Sequence, residues 1–190
     1  MVDKLTTEQG KLLLQIARDS IRLHLGLEPL LASSARDCEP PGDYATFVTL
    51  KKYGELRGCI GSLVATEPVC SSVRQNADKA AFHDSRFSPL TIAEIEDISI
   101  DVSILTPSKP LEYHDHEDLI NKLRPGIDGV TIRKGLAGAT FLPQVWQQLP
   151  SAEVFLGHLC RKAGLAATAW RDSHLDVETY QVQCFEEGKR

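Results

Sequence analysis

A strict alternation of apolar and polar residues is the feature that most constrains how this chain can fold. Between residues 98 and 104 isoleucine or valine occupies every second position, and Ser99, Asp101 and Ser103 fill the positions between them. A period of two is typical of a β-strand with one buried and one polar face. We therefore expect this strand to belong to a sheet whose apolar face is covered by other elements of the chain.

Further strands are predicted on both sides of this segment. Runs rich in β-branched and aromatic residues flank the dipeptides Tyr53-Gly54 and Lys134-Gly135, which favour tight turns and hence two hairpins. The predicted strands are residues 44–52 with 55–63, residues 129–133 with 136–142, and residues 180–184 near the end of the chain.

Helical spacing of apolar residues predicts elements that could cover such sheets. Thr6 and Gln9 have the spacing of a capping box, and Thr66 and Ser151 are candidate N-caps. The predicted helices are residues 6–26, 66–82, 118–123 and 151–164. The mixed order of helices and strands favours an α+β fold with mixed or antiparallel sheets and flanking helices over a regular βαβ array.

The stretch from Ala32 to Asp43 is polar and contains Pro40, Pro41 and Gly42. Such a mixture usually connects elements, so residues 32–43 are predicted to form a flexible loop. Residues 1–190 as a whole are expected to form one domain, because 190 residues suit one large domain or a domain with a smaller lobe.

The composition excludes several functional classes. With 42% hydrophobic and 25% charged residues the chain is an ordinary globular sequence, and its net charge of −5 disfavours nucleic-acid binding. No run approaches the roughly 20 apolar residues of a membrane span, and no signal peptide is visible. Five cysteines without CxxC spacing argue against disulfides or a thiolate zinc site, so we expect a cytoplasmic protein.

Residues 56–61 carry the best candidate for chemistry. On an extended strand Arg57, Cys59 and Gly61 would share one face, so that the guanidinium could favour the thiolate form of Cys59. Gly58 and Gly61 would let a ligand approach the backbone. The alternative is that Cys59 is a small buried side chain and that the glycines serve a bulge or tight packing.

Two other polar clusters attract attention. Asp84 and Arg86 follow a predicted helix end and could orient one another or a polar ligand, or could merely form an ion pair that fixes the loop. The run His114-Asp115-His116 lacks a third ligand at a telling spacing, so no metal site is predicted there. The residues identify no cofactor.

Residues 56–61, Leu-Arg-Gly-Cys-Ile-Gly, resemble the signature of the AMMECR1 family, and the similarity continues along the chain. The further matching blocks are residues 44–55 and 62–63, 80–87, 102–107, 129–132, 140–146 and 159–165. The resemblance covers about residues 44–185 in order, which is far more specific than one hexapeptide.

The resemblance implies an α+β fold with a larger and a smaller lobe. It also implies a functional surface at Arg57, Gly58, Cys59, Ile60 and Gly61, to which Asp84 and Arg86 are added on chemical grounds. Prokaryotic members are often associated with MEMO-like and radical-SAM proteins, which are therefore the expected partners.

Two functional hypotheses follow, and neither names a reaction. The chain is an enzyme or enzyme component that binds a small polar or anionic ligand, with Cys59 as thiolate and Arg57 as its electrostatic partner. Alternatively, the same surface docks a MEMO-like or radical-SAM protein without catalysis. A nucleic-acid role has the weakest support, given the acidic balance.

Overall fold

The computed structural model describes residues 4–30 and 44–188, so the loop predicted at residues 32–43 lies outside the described residues. The chain divides into two compact units, Met1–Pro107 with Gln183–Arg190, and Ser108–Val182. Both units combine helices with antiparallel strands, which confirms the α+β prediction. No helix in the described part of the chain is long and apolar enough to cross a membrane.

The first unit begins with helix α1, Thr7–His24. The predicted capping box is present, because the Thr6 hydroxyl accepts from the Gln9 N–H while the Gln9 side chain accepts from the Thr6 N–H. One face of α1 is buried, which is why its apolar residues recur at helical spacing.

Strands β1, Ala45–Lys52, and β2, Glu55–Gly61, form the first predicted hairpin. Tyr53 and Gly54 both have positive φ, as a two-residue type I′ turn requires. Strand β3, Ile98–Leu105, pairs antiparallel with β1 and is the alternating strand predicted from sequence. Within this unit β2 therefore lies at the edge, next to β1.

Helix α2, Val69–Phe82, and α1 belong to the core that covers one side of this sheet. The predicted cap at Thr66 is wrong, since the helix begins after Pro68, whose fixed φ suits a helix start. The fully buried core residues Val48, Leu50 and Ile100 come from β1 and β3 and pack in the same cluster as residues of both helices. The opposite face carries Thr49, Lys51 and other polar residues, and there the site is found.

The second unit contains seven further strands and α-helices, besides the short 3₁₀ helix Pro143–Gln147. They are β4 (Lys109–Pro110), α3 (His116–Lys122), β5 (Asp128–Lys134), β6 (Ala137–Phe141), α4 (Ala152–Lys162), α5 (Ala169–Asp172) and β7 (Asp176–Glu186), whose last four residues belong to the first unit. The hairpin of β5 and β6 turns at Gly135, as predicted, and β5 also pairs with β7.

The core of the second unit is built around an aromatic stack. Phe155 on α4 lies parallel to Trp146, with ring centroids 3.7 Å apart, and Phe141 meets Phe155 edge to face at 5.3 Å. The Trp146 indole donates to the Asp128 carbonyl at 2.8 Å, so its polar edge is satisfied inside the core. Helix α5 was not predicted, because four residues carry too little periodicity to be recognised.

Candidate functional site

The segment of residues 57–61, here called the RGCIG segment, occupies most of β2, and its strand contains a bulge. Leu50 pairs with Gly58 whereas Lys51 pairs with Leu56, which leaves Arg57 without a partner in the register. An extra residue of this kind interrupts the alternation of faces. The predicted placement of Arg57 beside Cys59 on one regular face is therefore wrong, and the register puts Leu56 on the Cys59 face instead.

Cys59 is held on both its main chain and its side chain. Its N–H donates to Asp84 Oδ2 at 2.9 Å and its carbonyl accepts from Arg86 Nη2 at 3.2 Å. The N–H and the carbonyl of Cys59 therefore point away from β1. Cys59 and Thr49 thus face each other as a non-hydrogen-bonded cross-strand pair, the kind of pair in which the two side chains lie closest. The Thr49 hydroxyl accordingly donates to Cys59 Sγ at 3.1 Å.

Asp84 and Arg86, just after the end of α2, form the charged clip that holds Cys59. The guanidinium of Arg86 donates to Asp84 at 2.9 Å from Nε and at 2.7 Å from Nη2, the fork geometry that suits a carboxylate. Hydrogen bonding by Arg86 lowers the pKa of Asp84 well below its usual range, and the main-chain N–H groups of Cys59 and Arg86 lower it further, against the opposing effect of burial. Asp84 is thus a buried, ionised acceptor.

Arg57 pairs with a residue that sequence reasoning missed. Its Nε and Nη2 each donate to the carboxylate of Glu94 at 3.1 Å, and Lys52 Nζ also donates to Glu94 at 3.1 Å. Arg57 above all, helped by the Thr91 N–H and by Lys52, lowers the pKa of Glu94 to about 2, although burial opposes the shift. Glu94 also closes a capping box with Thr91, and that Thr-x-x-Glu pattern was a local signal in the sequence.

Phe87 lies between the two arginine systems. The guanidinium carbon of Arg86 is 5.4 Å from the centre of the Phe87 ring and that of Arg57 is 6.0 Å away. Both distances are within the range of cation–π attraction. The two ion pairs are thereby linked through one aromatic side chain.

The glycines of the RGCIG segment serve close packing. A Cβ on Gly58 would overlap the main-chain oxygen of Ala80 on α2, and a Cβ on Gly61 would overlap Phe47 and the carbonyl of Thr46. Ile60 packs against the hydrophobic core. The expectation that Gly58 and Gly61 open the backbone to a ligand is therefore wrong, because protein atoms fill that space.

A polar row crosses the sheet from Cys59. Thr49 pairs with Cys59 on β2 and with Asp101 on β3, so the three side chains lie on one face in neighbouring strands. Lys51 forms an ion pair with Asp101, and that carboxylate raises the pKa of Lys51 even though burial opposes the shift. This row could not be found from sequence, because it depends on the bulge.

The run His114-Asp115-His116 has a structural role. Asp115 caps α3 by accepting from the Asp118 N–H at 2.9 Å, and the His114 N–H donates to Asp118 at 3.0 Å. Among the described residues no group of three or more histidine, cysteine or acidic side chains could hold a metal ion.

The chemical capacity of the site rests on a partly exposed thiol in polar surroundings. Cys70 and Cys160 are fully buried in the two cores, and burial raises the pKa of Cys160. Cys59 instead is only partly buried, receives a hydrogen bond from the Thr49 hydroxyl, and has the ion-paired Arg86 guanidinium bound to its carbonyl. It is therefore the thiol of the RGCIG segment that a ligand could contact.

Comparisons with known proteins agree over almost the whole chain. The sequence model of the AMMECR1 family matches residues 14–185. A protein of Methanothermobacter thermautotrophicus is 35% identical over 192 residues, covering 96% of both chains, and one of Methanopyrus kandleri is 35% identical over 98% of this chain and 92% of its own length. The crystal structure of an uncharacterised protein of Pyrococcus horikoshii superposes with a TM-score of 0.80 at 31% identity, covering 98% of this chain and 95% of its own.

Proposed function

Because this chain belongs to the AMMECR1 family, we propose from the geometry of its own site that it is a cytoplasmic enzyme or enzyme component that binds a small polar or anionic ligand beside Cys59. The observation that carries the proposal is the hydrogen bond from Thr49 to Cys59 Sγ at 3.1 Å, with Arg86 anchored to the same residue. A cytoplasmic location fits the four described cysteines, all of which are free thiols.

Each side chain has a definite part in this proposal. Cys59 supplies the thiolate that contacts the ligand, and Thr49 stabilises its negative charge. Arg86, whose side chain is 52% exposed, supplies the positive charge that attracts an anionic ligand, while Asp84 keeps it in place. Arg57, paired with Glu94, holds the bulge and contributes through Phe87 rather than through Cys59.

The test is site-resolved alkylation of the cysteines, read by mass spectrometry, with neutral iodoacetamide and anionic iodoacetate. We expect Cys59 to react in the native protein, whereas Cys70 and Cys160 react only after unfolding because they are fully buried. Thr49→Val should slow both reagents. Arg86→Gln should slow iodoacetate more than iodoacetamide, since only the former carries a charge for Arg86 to attract.

Exposed Cys184 is the internal control, because it should react in every variant at an unchanged rate. Protection of Cys59 until the protein unfolds would overturn the proposal. The proposal would also be overturned if Thr49→Val and Arg86→Gln left the alkylation rate of Cys59 unchanged, because the reactivity of the thiol would then not depend on these two side chains.

A second candidate is non-catalytic docking of a MEMO-like or radical-SAM protein. The observation that favours it is a set of exposed apolar side chains at the two ends of the RGCIG segment: Leu56 is 45% exposed, Leu63 44% and Val64 64%. Exposed apolar residues grouped around polar ones are typical of protein-binding surfaces.

The two candidates are separated by a binding measurement with a purified MEMO-like partner. Docking predicts that the double variant Leu63→Glu/Val64→Glu abolishes binding while Cys59→Ala does not. Leu23→Glu is the matched control, because Leu23 is 49% exposed on α1 and lies outside this surface. Binding that survives the double variant would reject this surface as the interface.

A further inference from the structure

The second unit has a groove of about 270 Å³ between α4 and α5 that no part of the proposed function uses. The α4 wall runs from Glu153 to Arg161, which is about 12 Å at 1.5 Å per residue. Gly157 lies midway along that wall and lacks a side chain, so the groove stays open along its length. Its length matches about four residues of extended chain.

The rim of the groove carries two arginines and a histidine. Arg161, Arg171 and His158 all line it and all are exposed. Within residues 4–30 and 44–188, the structure records no hydrogen bond or ion pair for the side chains of His158 and Arg161. The Arg171 guanidinium lies 4.8 Å from the centre of the Trp170 ring, a cation–π contact that leaves its N–H groups free to donate.

One acidic residue, Glu153, also lines the groove but is already engaged. The Ser151 hydroxyl donates to its carboxylate and is the main cause that lowers the pKa of Glu153, with a smaller contribution from Arg171. Glu153 lies in the first turn of α4 and Arg161 in the last, so the two charges are at opposite ends of the groove. The end that carries His158 and Arg161 is therefore without an opposing carboxylate among its lining residues.

The floor between these charges is apolar. Val154 is 47% exposed, and Ala167 lies opposite Gly157, whose hypothetical Cβ would be 3.4 Å from the Ala167 carbonyl oxygen. An aliphatic side chain of moderate size could rest there and cover Val154. The occupant that fits combines carboxylates for the arginines with one apolar side chain for the floor.

We propose that the groove between α4 and α5 binds an acidic segment of a partner protein, in extended form, with carboxylates on Arg161 and Arg171 and an apolar side chain over Val154. Arginine binds carboxylates through two parallel hydrogen bonds, which suits this role. The open groove leaves one side of the occupant in water, as a peptide tolerates and a buried metabolite does not. Two arginines on a chain of net charge −5 are too few for a nucleic-acid backbone.

The test uses the full chain and a fluorescently labelled peptide in which glutamates flank a central leucine, with binding read by anisotropy. The control peptide replaces each glutamate by glutamine. We expect the acidic peptide alone to bind, and Arg161→Glu/Arg171→Glu to weaken it at least about tenfold, because like charges then face each other. Raising the salt from about 50 to about 300 mM should also weaken binding.

Arg133→Glu is the control for charge reversal, since it makes the same substitution once, at half the charge change of the double variant, on an exposed residue of β5 outside the groove. Val154→Glu tests the floor independently and should weaken the acidic peptide while leaving the melting temperature unchanged. Equal binding of both peptides, an unaffected arginine double variant, or no binding by the wild-type protein would each overturn the proposal. None of these outcomes bears on Cys59, which belongs to the first unit.

Discussion

The RGCIG segment and the α4–α5 groove contain the same residue types used in opposite ways. Around the RGCIG segment Arg57 and Arg86 each donate two hydrogen bonds to a carboxylate, and Gly58 is packed against main chain. In the groove Arg161 has no such partner among the described residues, and Gly157 has ordinary space beside it. Arginine and glycine thus build structure in one region and leave a surface open to ligands in the other.

The largest expected difference lies between the two glycines. Gly58→Ala should destabilise the protein by about 3 kcal/mol, because the added Cβ forces β2 away from the rigid backbone of α2. Gly157→Ala should instead stabilise it by about 0.5–1 kcal/mol, as alanine is the better helix former. Urea unfolding of both variants measures the two changes in unfolding free energy. Equal changes would show that β2 can move away from α2 without loss of stability.

The next effect concerns the buried carboxylate of the clip. Asp84→Asn should cost about 2 kcal/mol of unfolding free energy, because charge-assisted hydrogen bonds from Arg86 and the Cys59 N–H are lost. Asp118→Asn is the matched control, because its bonds to Lys122 and to the His114 N–H lie at the surface and should contribute much less to stability. If the two variants melted alike, the clip would contribute no more than a surface pair.

A smaller and pH-dependent effect is expected at Glu94. Its pKa is about 2 in the folded protein, against about 4.3 in an unfolded chain. The stabilisation it gives is therefore complete above about pH 4.3 and is lost as the pH falls through the folded value. Glu94→Gln should cost about 1 kcal/mol at neutral pH. Its melting temperature should also fall less than that of the wild type between about pH 6 and about pH 3. Parallel pH profiles would contradict this.

The smallest effect is expected in the groove. Arg161→Ala/Arg171→Ala should change the unfolding free energy by less than about 0.5 kcal/mol, because exposed side chains without hydrogen-bonded partners contribute little to folding. Thermal melting of this double variant and of Asp84→Asn, under the same conditions, compares the two effects directly. A loss above about 1 kcal/mol would mean that these arginines, like Arg86, are structural.

What the sequence predicted depended on short-range signals. The Thr6–Gln9 capping box and the alternation of residues 98–104 were found because local geometry alone produces them. The Tyr53-Gly54 turn was found for the same reason. A regular two-residue hairpin would then have placed Thr49 opposite Gly58, one position away from Cys59.

The rest depended on long-range pairing. The bulge at Arg57 moves Thr49 opposite Cys59, and with it Gly58 meets α2 and Arg57 reaches Glu94, 37 residues away. No local pattern encodes such a contact. Proximity of Asp84 to Cys59, 25 residues apart, was likewise open until the structure placed them together.

The ion pair of Asp84 and Arg86 also affects how β2 can meet other protein molecules at high concentration. β2 lies at the edge of the first unit's sheet, and an open edge is a template on which a strand of another molecule can assemble. By occupying the outward N–H and carbonyl of Cys59, Asp84 and Arg86 stand in for that missing strand. The ion pair that holds the main chain of Cys59 thus leaves fewer free backbone groups at this edge for another strand to pair with.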